Sequence, residues 1–258
     1  MTGNARNEQS TYDTKELNME LQPTSRSERS VATSGIAWWK RGLDLSLLLI
    51  LLPGILVVGG LVALIVRLGS AGPVFFRQKR VGYKGKEFVC LKFRTMHVNA
   101  ETDSHRQHAR ELIKSQSPMV KLDQSHDPRV VPLGRLLRAC GLDELPQLIN
   151  VLDGEMSLVG PRPCIRYECE AYEPWHWQRF DAAPGLTGLW QVSGKNRTTF
   201  DEMVRLDIEY ARRQSFWLDL QIIARTLPAL CQQYSDLHGS SRTEPAPQIA
   251  NTLESFSS

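Results

Sequence analysis

The chain has 258 residues, 41% of them hydrophobic and 23% charged, with a formal net charge of +3. That length holds one large domain or two small ones, and the composition is that of a folded protein. The mild charge speaks against a nucleic-acid partner, while five cysteines (Cys90, Cys140, Cys164, Cys169, Cys231) without a Cys-x-x-Cys pair speak against a disulfide framework or a zinc site and for a reducing compartment.

Residues 1–35 are rich in Ser, Thr, Asn, Glu and Arg and read as a disordered polar tail. No signal-peptide pattern is visible. Trp38 and Trp39 beside Lys40 and Arg41 mark a membrane–water interface. From Leu47 to Val66 the chain runs without a charge for about twenty residues, the length of a membrane span. Pro53-Gly54 and Gly59-Gly60 interrupt that run. Basic residues lie on both flanks: Lys40 and Arg41 before it, then Arg67, Arg77, Lys79, Arg80, Lys84 and Lys86. The positive-inside rule puts both flanks in the cytoplasm. Two arrangements fit residues 36–70: a re-entrant helical hairpin turning near Pro53, or a single span kinked there.

Val89, Leu91 and Phe93 alternate with Lys92 and Arg94, which predicts a strand, with a turn before it at Tyr83-Lys84-Gly85-Lys86. Lys92 and Arg94, next to packed apolar positions, are candidate phosphate ligands. The other cations of this stretch read as a solvated face toward anionic headgroups. Residues 97–117 predict a polar surface helix whose three histidines have no metal-ligand spacing. Asp127-Pro128-Arg129 predicts a turn, and Leu133 to Cys140 a short basic helix that brings Arg138 toward the next motif.

Residues 141–163 carry the chemistry. Leu142, Leu145, Leu148, Ile149 and Leu152 repeat at helical spacing, with Asp143, Glu144 and Gln147 off that stripe. Pro146 is tolerated only in a first helical turn, so the helix is expected to begin at about Leu142 or Asp143. Two carboxylates then sit at a helix N-terminus, where capping is the ordinary role and phosphate chemistry the alternative. Gly160-Pro161-Arg162-Pro163 comes next, and prolines on both sides aim the Arg162 guanidinium for phosphate.

Trp175, Trp177 and Phe180 predict an interfacial aromatic belt in preference to core packing. Pro184 to Trp190 predicts a loop leading into a short strand. Thr199-Phe200-Asp201-Glu202 has capping-box form and opens a helix with Met203, Leu206 and Tyr210 on one face and Asp207 beside it. There Asp207 reads more readily as an ion-pair partner than as a ligand. Trp217 to Leu230 predicts an amphipathic helix on the membrane surface, and residues 233–258 a disordered tail.

Several motifs in one order carry a resemblance: Gly72-Pro73-Val74-Phe75-Phe76-Arg77-Gln78, Lys92-Phe93-Arg94-Thr95-Met96, Asp127-Pro128-Arg129, Leu142 to Leu148, Met156 to Pro163 and Pro184-Gly185-Leu186-Thr187-Gly188. They resemble the bacterial sugar transferase family, the monotopic phosphoglycosyl transferases, over about residues 38–232. The resemblance implies an α+β, mainly helical fold. It has a re-entrant membrane helix over 36–70 and a cytosolic catalytic domain over 71–232, with a small β-hairpin and amphipathic interfacial helices. It implies transfer of a hexose 1-phosphate from a UDP-sugar, UDP-glucose or UDP-galactose, to undecaprenyl phosphate, which starts an exopolysaccharide repeat unit. Asp143 would be the nucleophile, with UMP expelled. Glu144 would bind Mg²⁺ with Asp207 assisting, and Lys92, Arg94, Arg138 and Arg162 would hold phosphates or nucleotide. Membrane lipids are expected partners, a homodimer is left open, and the expected location is the cytoplasmic face of the bacterial inner membrane. Two departures stand out: Leu52 precedes Pro53 where the family often has serine, and Ser193-Gly194-Lys195-Asn196-Arg197 differs from the commoner Gly-Arg. The competing readings are an inactive membrane-bound assembly or regulatory paralogue, and a direct sugar transferase that releases UDP with Asp143 as general base.

Overall fold

The computed structural model describes residues 36–96, 103–115, 117–119, 130–131, 133–194 and 197–238. The expected N-terminal tail and the Asp127-Pro128-Arg129 turn lie outside the described residues. The fold is mainly helical, with two small two-stranded sheets.

Helix α1 spans Trp38–Gly69, 32 residues, with Pro53 inside it. The helix continues through Pro53. Proline removes a single N–H from the ladder, and the turns on either side continue. Its buried residues are Lys40, Asp44, Leu48, Val62 and Val66. Leu48 and Val62 are about four turns apart, so all five share one face. That face meets the rest of the protein at two places. Leu48 packs with Phe88, Cys90, Val151 and Met156, and Val62 and Val66 pack with Phe93 and Leu137. Between them Leu49 to Leu52 and Leu56 to Val58 are exposed. Among the described residues α1 is the one helix long and apolar enough to cross a membrane. An exposed apolar surface of this extent marks a contact with lipid or a partner.

Strands β1 (Phe75–Val81) and β2 (Glu87–Phe93) form an antiparallel hairpin, with Phe75 opposite Phe93 and Val81 opposite Glu87. The turn between them is a 3₁₀ segment, Tyr83–Gly85, in which Lys84 and Gly85 take φ of 53° and 74°. The expected strand is present, but its packed face differs. Phe88, Cys90 and Phe93 are buried, while Val89 and Leu91 are half-buried. At Phe88 and Cys90 the even-numbered side faces inward because Leu48, Val151 and Met156 pack against it, while Phe93, on the other side, packs with Val62, Val66 and Leu137. Lys92 succeeds Phe88 and Cys90 at the strand period and so leaves the sheet on their side.

Helix α2 (Asp103–Lys114) falls within the expected polar helix, and α3 (Gly134–Ala139) within the expected basic one. A 3₁₀ turn, Leu142–Glu144, precedes α4 (Gln147–Asp153). Strand β3 (Ser157–Val159), α5 (Arg166–Cys169) and a 3₁₀ segment (Pro174–Asp181) come after it. Strand β4 (Gly185–Thr187) pairs in parallel with β3. It lies inside the expected loop, and it leads into helix α6 (Leu189–Val192) rather than into a strand. Helices α7 (Phe200–Arg213) and α8 (Phe216–His238) are the last described elements.

The main core gathers Val159, Trp190, Phe200, Met203, Val204, Leu206, Tyr210 and Ile222. Thr199 caps α7 as its sequence predicts: its Oγ1 accepts from the Glu202 N–H and its own N–H donates to Glu202 Oε2 at 2.8 Å. The aromatic belt is corrected. Phe180 is buried, Trp175 packs against the main core, and Tyr172 stacks with Phe180. Trp177 alone of the three is largely exposed, at 46%. The tail boundary also moves, because α8 continues to His238. No glycine or proline occurs between Pro228 and Gly239, so nothing local stops the helix at 232.

Candidate active site

Gly141, at φ 69°, turns the chain out of the α3 region and into the acid pair. Glu144 N–H donates to Gly141 O and Leu145 N–H to Leu142 O, both three residues back. Leu148 N–H to Leu145 O and Ile149 N–H to Pro146 O continue that pattern. The expected helix start is therefore corrected. Asp143 and Glu144 occupy a 3₁₀ turn, and α4 begins at Gln147 with Pro146 as its N-cap. Pro146 has no N–H for an α-type bond across the acid pair, so the ladder tightens on both sides of it.

Asp143 is buried, at 9% exposure, and Glu144 is open to solvent at 38% of its side chain. Lys92 Nζ donates to Glu144 Oε1 at 2.7 Å, which ties β2 to the turn. Arg138 comes from α3, whose end leads into Gly141, and its Nε donates to Thr95 Oγ1 at 2.7 Å. Leu142 and Leu145, flanking the two acids, pack on the cluster of Val62, Val66, Phe93 and Leu137. The acid pair thus sits at the edge of an apolar cluster that it shares with α1.

Asn150 sets the distance between α4 and β2. Its Oδ1 accepts from the Leu91 N–H at 3.1 Å, and its Nδ2 donates to Val89 O at 2.8 Å and Glu155 Oε2 at 2.6 Å. Arg94 goes elsewhere than expected. It is buried, and donates to the carbonyls of Ser70 and Ala71 at 2.7 and 3.0 Å, so its guanidinium clamps the chain leaving α1.

The Gly160-Pro161-Arg162-Pro163 loop and the Pro184-to-Gly188 motif are one structural unit. Ser157 N–H donates to Pro184 O, Gly160 N–H to Thr187 O and Gly185 N–H to Pro161 O. A Cβ at Gly160 would meet Ala183 O at 2.1 Å, and one at Gly188 would meet Gly160 O at 2.2 Å. Two further arginines hold the loop's carbonyls. Arg80 Nη1 donates to Pro163 O at 3.0 Å, and Arg179 Nη2 donates to Arg162 O at 3.1 Å. Arg162 itself is half-buried. Asp207, expected beside a metal, is buried in an ion pair with Arg179 at 2.5 Å. Burial pushes the Asp207 carboxyl up to about 6, with the Arg179 charge pulling the other way.

Residues 36–233 match the family described as bacterial sugar transferase. The chain belongs to that family. An exopolysaccharide production protein ExoY from Sinorhizobium fredii is 37% identical over 74% of this chain and 85% of its own length. A UDP-glucose:undecaprenyl-phosphate glucose-1-phosphate transferase from Caulobacter vibrioides is 43% identical over 66% of this chain and 61% of its own length. An undecaprenyl-phosphate galactose phosphotransferase from Salmonella typhimurium is 41% identical over 61% of this chain and 33% of its own length.

In this transferase no group of three or more His, Cys, Asp or Glu side chains is gathered for a metal among the described residues. Asp143 and Glu144 supply two neighbouring carboxylates. That donor set fits Mg²⁺, which is commonly held by one or two carboxylates with substrate phosphates and water completing the shell.

The transferase also relies on residues that sequence reasoning does not single out. Asn150 and Arg179 position the site and have no motif of their own. Arg80, expected on a solvated basic face, is corrected: it is buried and holds the Pro163 carbonyl. Lys40, expected as an interfacial cation, is corrected. It is buried, donating to Tyr210 Oη at 2.8 Å and Asp219 Oδ2 at 2.5 Å. Asp44, on the same face of α1, accepts from Ser157 Oγ and the Leu158 N–H, both at 3.0 Å. The sequence holds one signal for this pair: an Asp four residues after a Lys, on one face of an otherwise apolar helix, needs buried partners.

Proposed function

We propose that this transferase moves a hexose 1-phosphate from a UDP-sugar to undecaprenyl phosphate, releasing UMP, as the first step of an exopolysaccharide repeat unit. The observation that carries it is Asp143 beside the Glu144–Lys92 pair, on a turn packed against the apolar cluster of α1. The relatives' names support UDP-glucose or UDP-galactose as donor and the polyprenyl phosphate as acceptor.

An oxygen of the Asp143 carboxylate attacks the phosphorus that bears the sugar. The bond from that phosphorus to the UMP oxygen breaks, and UMP leaves with the electron pair. The product is an acyl phosphate that joins Asp143 to the sugar 1-phosphate. An oxygen of the lipid phosphate then attacks the same phosphorus, and the Asp143 carboxylate leaves unchanged. Lys92, Arg138 and Arg162 hold phosphate oxygens and offset their charge. Glu144 and Asp143 would hold Mg²⁺, which when bound neutralises the diphosphate. Arg94 and Asp207 act through the backbone and through Arg179 respectively, and belong to the support of the site.

The two contacts that α1 makes with one domain support a re-entrant placement. A helix crossing the bilayer would leave that domain at one end. Here both ends of the buried face return to it, and cations flank both ends. The exposed middle of α1 and the outer face of α8, with Trp217 and Leu227, would then rest in lipid. On this reading the catalytic domain lies on the cytoplasmic face of the bacterial inner membrane.

The nucleotide released tests the proposal. Protein in nanodiscs with Mg²⁺, undecaprenyl phosphate and either UDP-glucose or UDP-galactose is expected to yield UMP with one of them. Release of UDP would point to direct sugar transfer instead.

A further inference from the structure

Cys164 succeeds Pro163 directly, at the end of the loop that carries Arg162. It is buried, at 2% exposure, and its carbonyl accepts from the Val81 N–H at 2.9 Å. Cys169 closes α5 and is half-buried. The two sulfurs lie 3.0 Å apart. A disulfide needs about 2.05 Å, so they have roughly 1 Å to travel. Both cysteines are free thiols in this structure. The hydrogen bond from Cys169 pulls the Cys164 thiol below its usual value, and the Arg179 charge acts in the same direction against burial. Neither sulfur takes part in the transfer chemistry derived above.

We infer that Cys164 and Cys169 are a dithiol that peroxide oxidises to an intrachain disulfide, and that the bridge acts on the loop presenting Arg162. The thiolate sulfur of Cys164 attacks a peroxide oxygen, the O–O bond breaks, and one water forms as a sulfenic acid is left on Cys164. The Cys169 sulfur then displaces that hydroxyl, which leaves as a second water with the Cys169 proton. Two thiols and one hydrogen peroxide become one disulfide and two waters. The bridge draws Cys164 toward α5, while Arg80 holds Pro163 O and Arg179 holds Arg162 O. A displacement of about 1 Å in the segment after Arg162 is of the size that costs a transferase substantial rate. The effect on turnover rests on the function proposed above, whereas formation of the bridge does not.

The test uses the full chain in nanodiscs, reduced and then treated with hydrogen peroxide. Remaining thiols are counted by alkylation under denaturing conditions. The five cysteines are expected to fall to three alkylated thiols in the wild type. A tryptic cut after Arg166 would leave the Cys164 and Cys169 peptides joined by one sulfur–sulfur bond. Cys164→Ser and Cys169→Ser are each expected to show no such linked peptide. Five alkylated thiols after peroxide, or bridges through Cys140 or Cys231 instead, would overturn the inference. Turnover of the oxidised wild type is expected to fall roughly tenfold and to return with reductant, while Cys169→Ser keeps its rate through the same cycle. A bridge with unchanged turnover in protein active before oxidation would overturn the claim on the loop. Protein inactive with every UDP-sugar but still bridged would count against the proposed function alone.

Discussion

Arg162 shows how a single residue is aimed. Flanking prolines mark its side chain in the sequence, but its direction is set by neighbours. Arg80 and Arg179 occupy the carbonyls of Pro163 and Arg162, and glycines at 160 and 188 allow backbone to lie where a Cβ would collide. Asp207 completes this support by pairing with Arg179. Its folded value of about 6 lies above the ordinary carboxylate value of 3.8. A raised carboxyl contributes stability that is present below the unfolded value and is lost as pH rises through the folded one. Wild type is therefore expected to lose stability relative to Asp207→Asn between about pH 4 and pH 7. Parallel melting curves of the two proteins check this, and a difference that stays constant across that range would refute it. Of this support, only the Asp207 ion pair is legible in the sequence. The pattern around Asp207 suggests an ion pair, but a partner 28 positions away has no local signature.

The elements are legible to uneven degrees, for physical reasons. Short-range chemistry comes through: the capping box of α7, the turn of the β1–β2 hairpin and the basic helix α3. The acid pair stands out too, but periodicity starts its helix too early. Leucine spacing does not distinguish a 3₁₀ turn from the first turn of an α-helix, and Pro146 decides between them. The packed face of β2 is hidden because Cys90 weighs little as an apolar residue, and α1 and α4 choose the side. Asn150 is the link between α4 and that strand. Replacing it with alanine leaves the Leu91 N–H and Val89 O without their partner, at a cost of about 2–3 kcal/mol. The same change is expected to lower turnover, because the acid turn leads directly into α4 and Lys92 is carried on β2, the two elements Asn150 joins. Chemical denaturation and initial rates measured together check this. Unchanged stability would show that the bracket is dispensable.

For the whole molecule, the apolar run is legible from composition, and its placement is not. A re-entrant hairpin and a kinked span both fit the sequence. The structure shows one unbroken helix with a single buried face that returns to the same domain beyond Pro53. The polar residues Lys40 and Asp44 seat its first turns on Asp219, Tyr210, Ser157 and Leu158. This arrangement predicts epitope tags at both chain ends on one side of the membrane. Protease added to inverted inner-membrane vesicles is expected to remove both tags. Protection of the N-terminal tag alone would mean a spanning helix.

On the proposed mechanism Asp143 carries the sugar phosphate between donor and lipid. The most direct measurement incubates the nanodisc-held protein with Mg²⁺ and radiolabelled UDP-glucose or UDP-galactose, without acceptor lipid. Label is expected on the wild-type protein and on the peptide containing Asp143, with an equal amount of UMP released. Asp143→Asn is expected to take up no label. Turnover with lipid but no label on the protein, across a panel of UDP-sugars, would contradict a covalent role for Asp143.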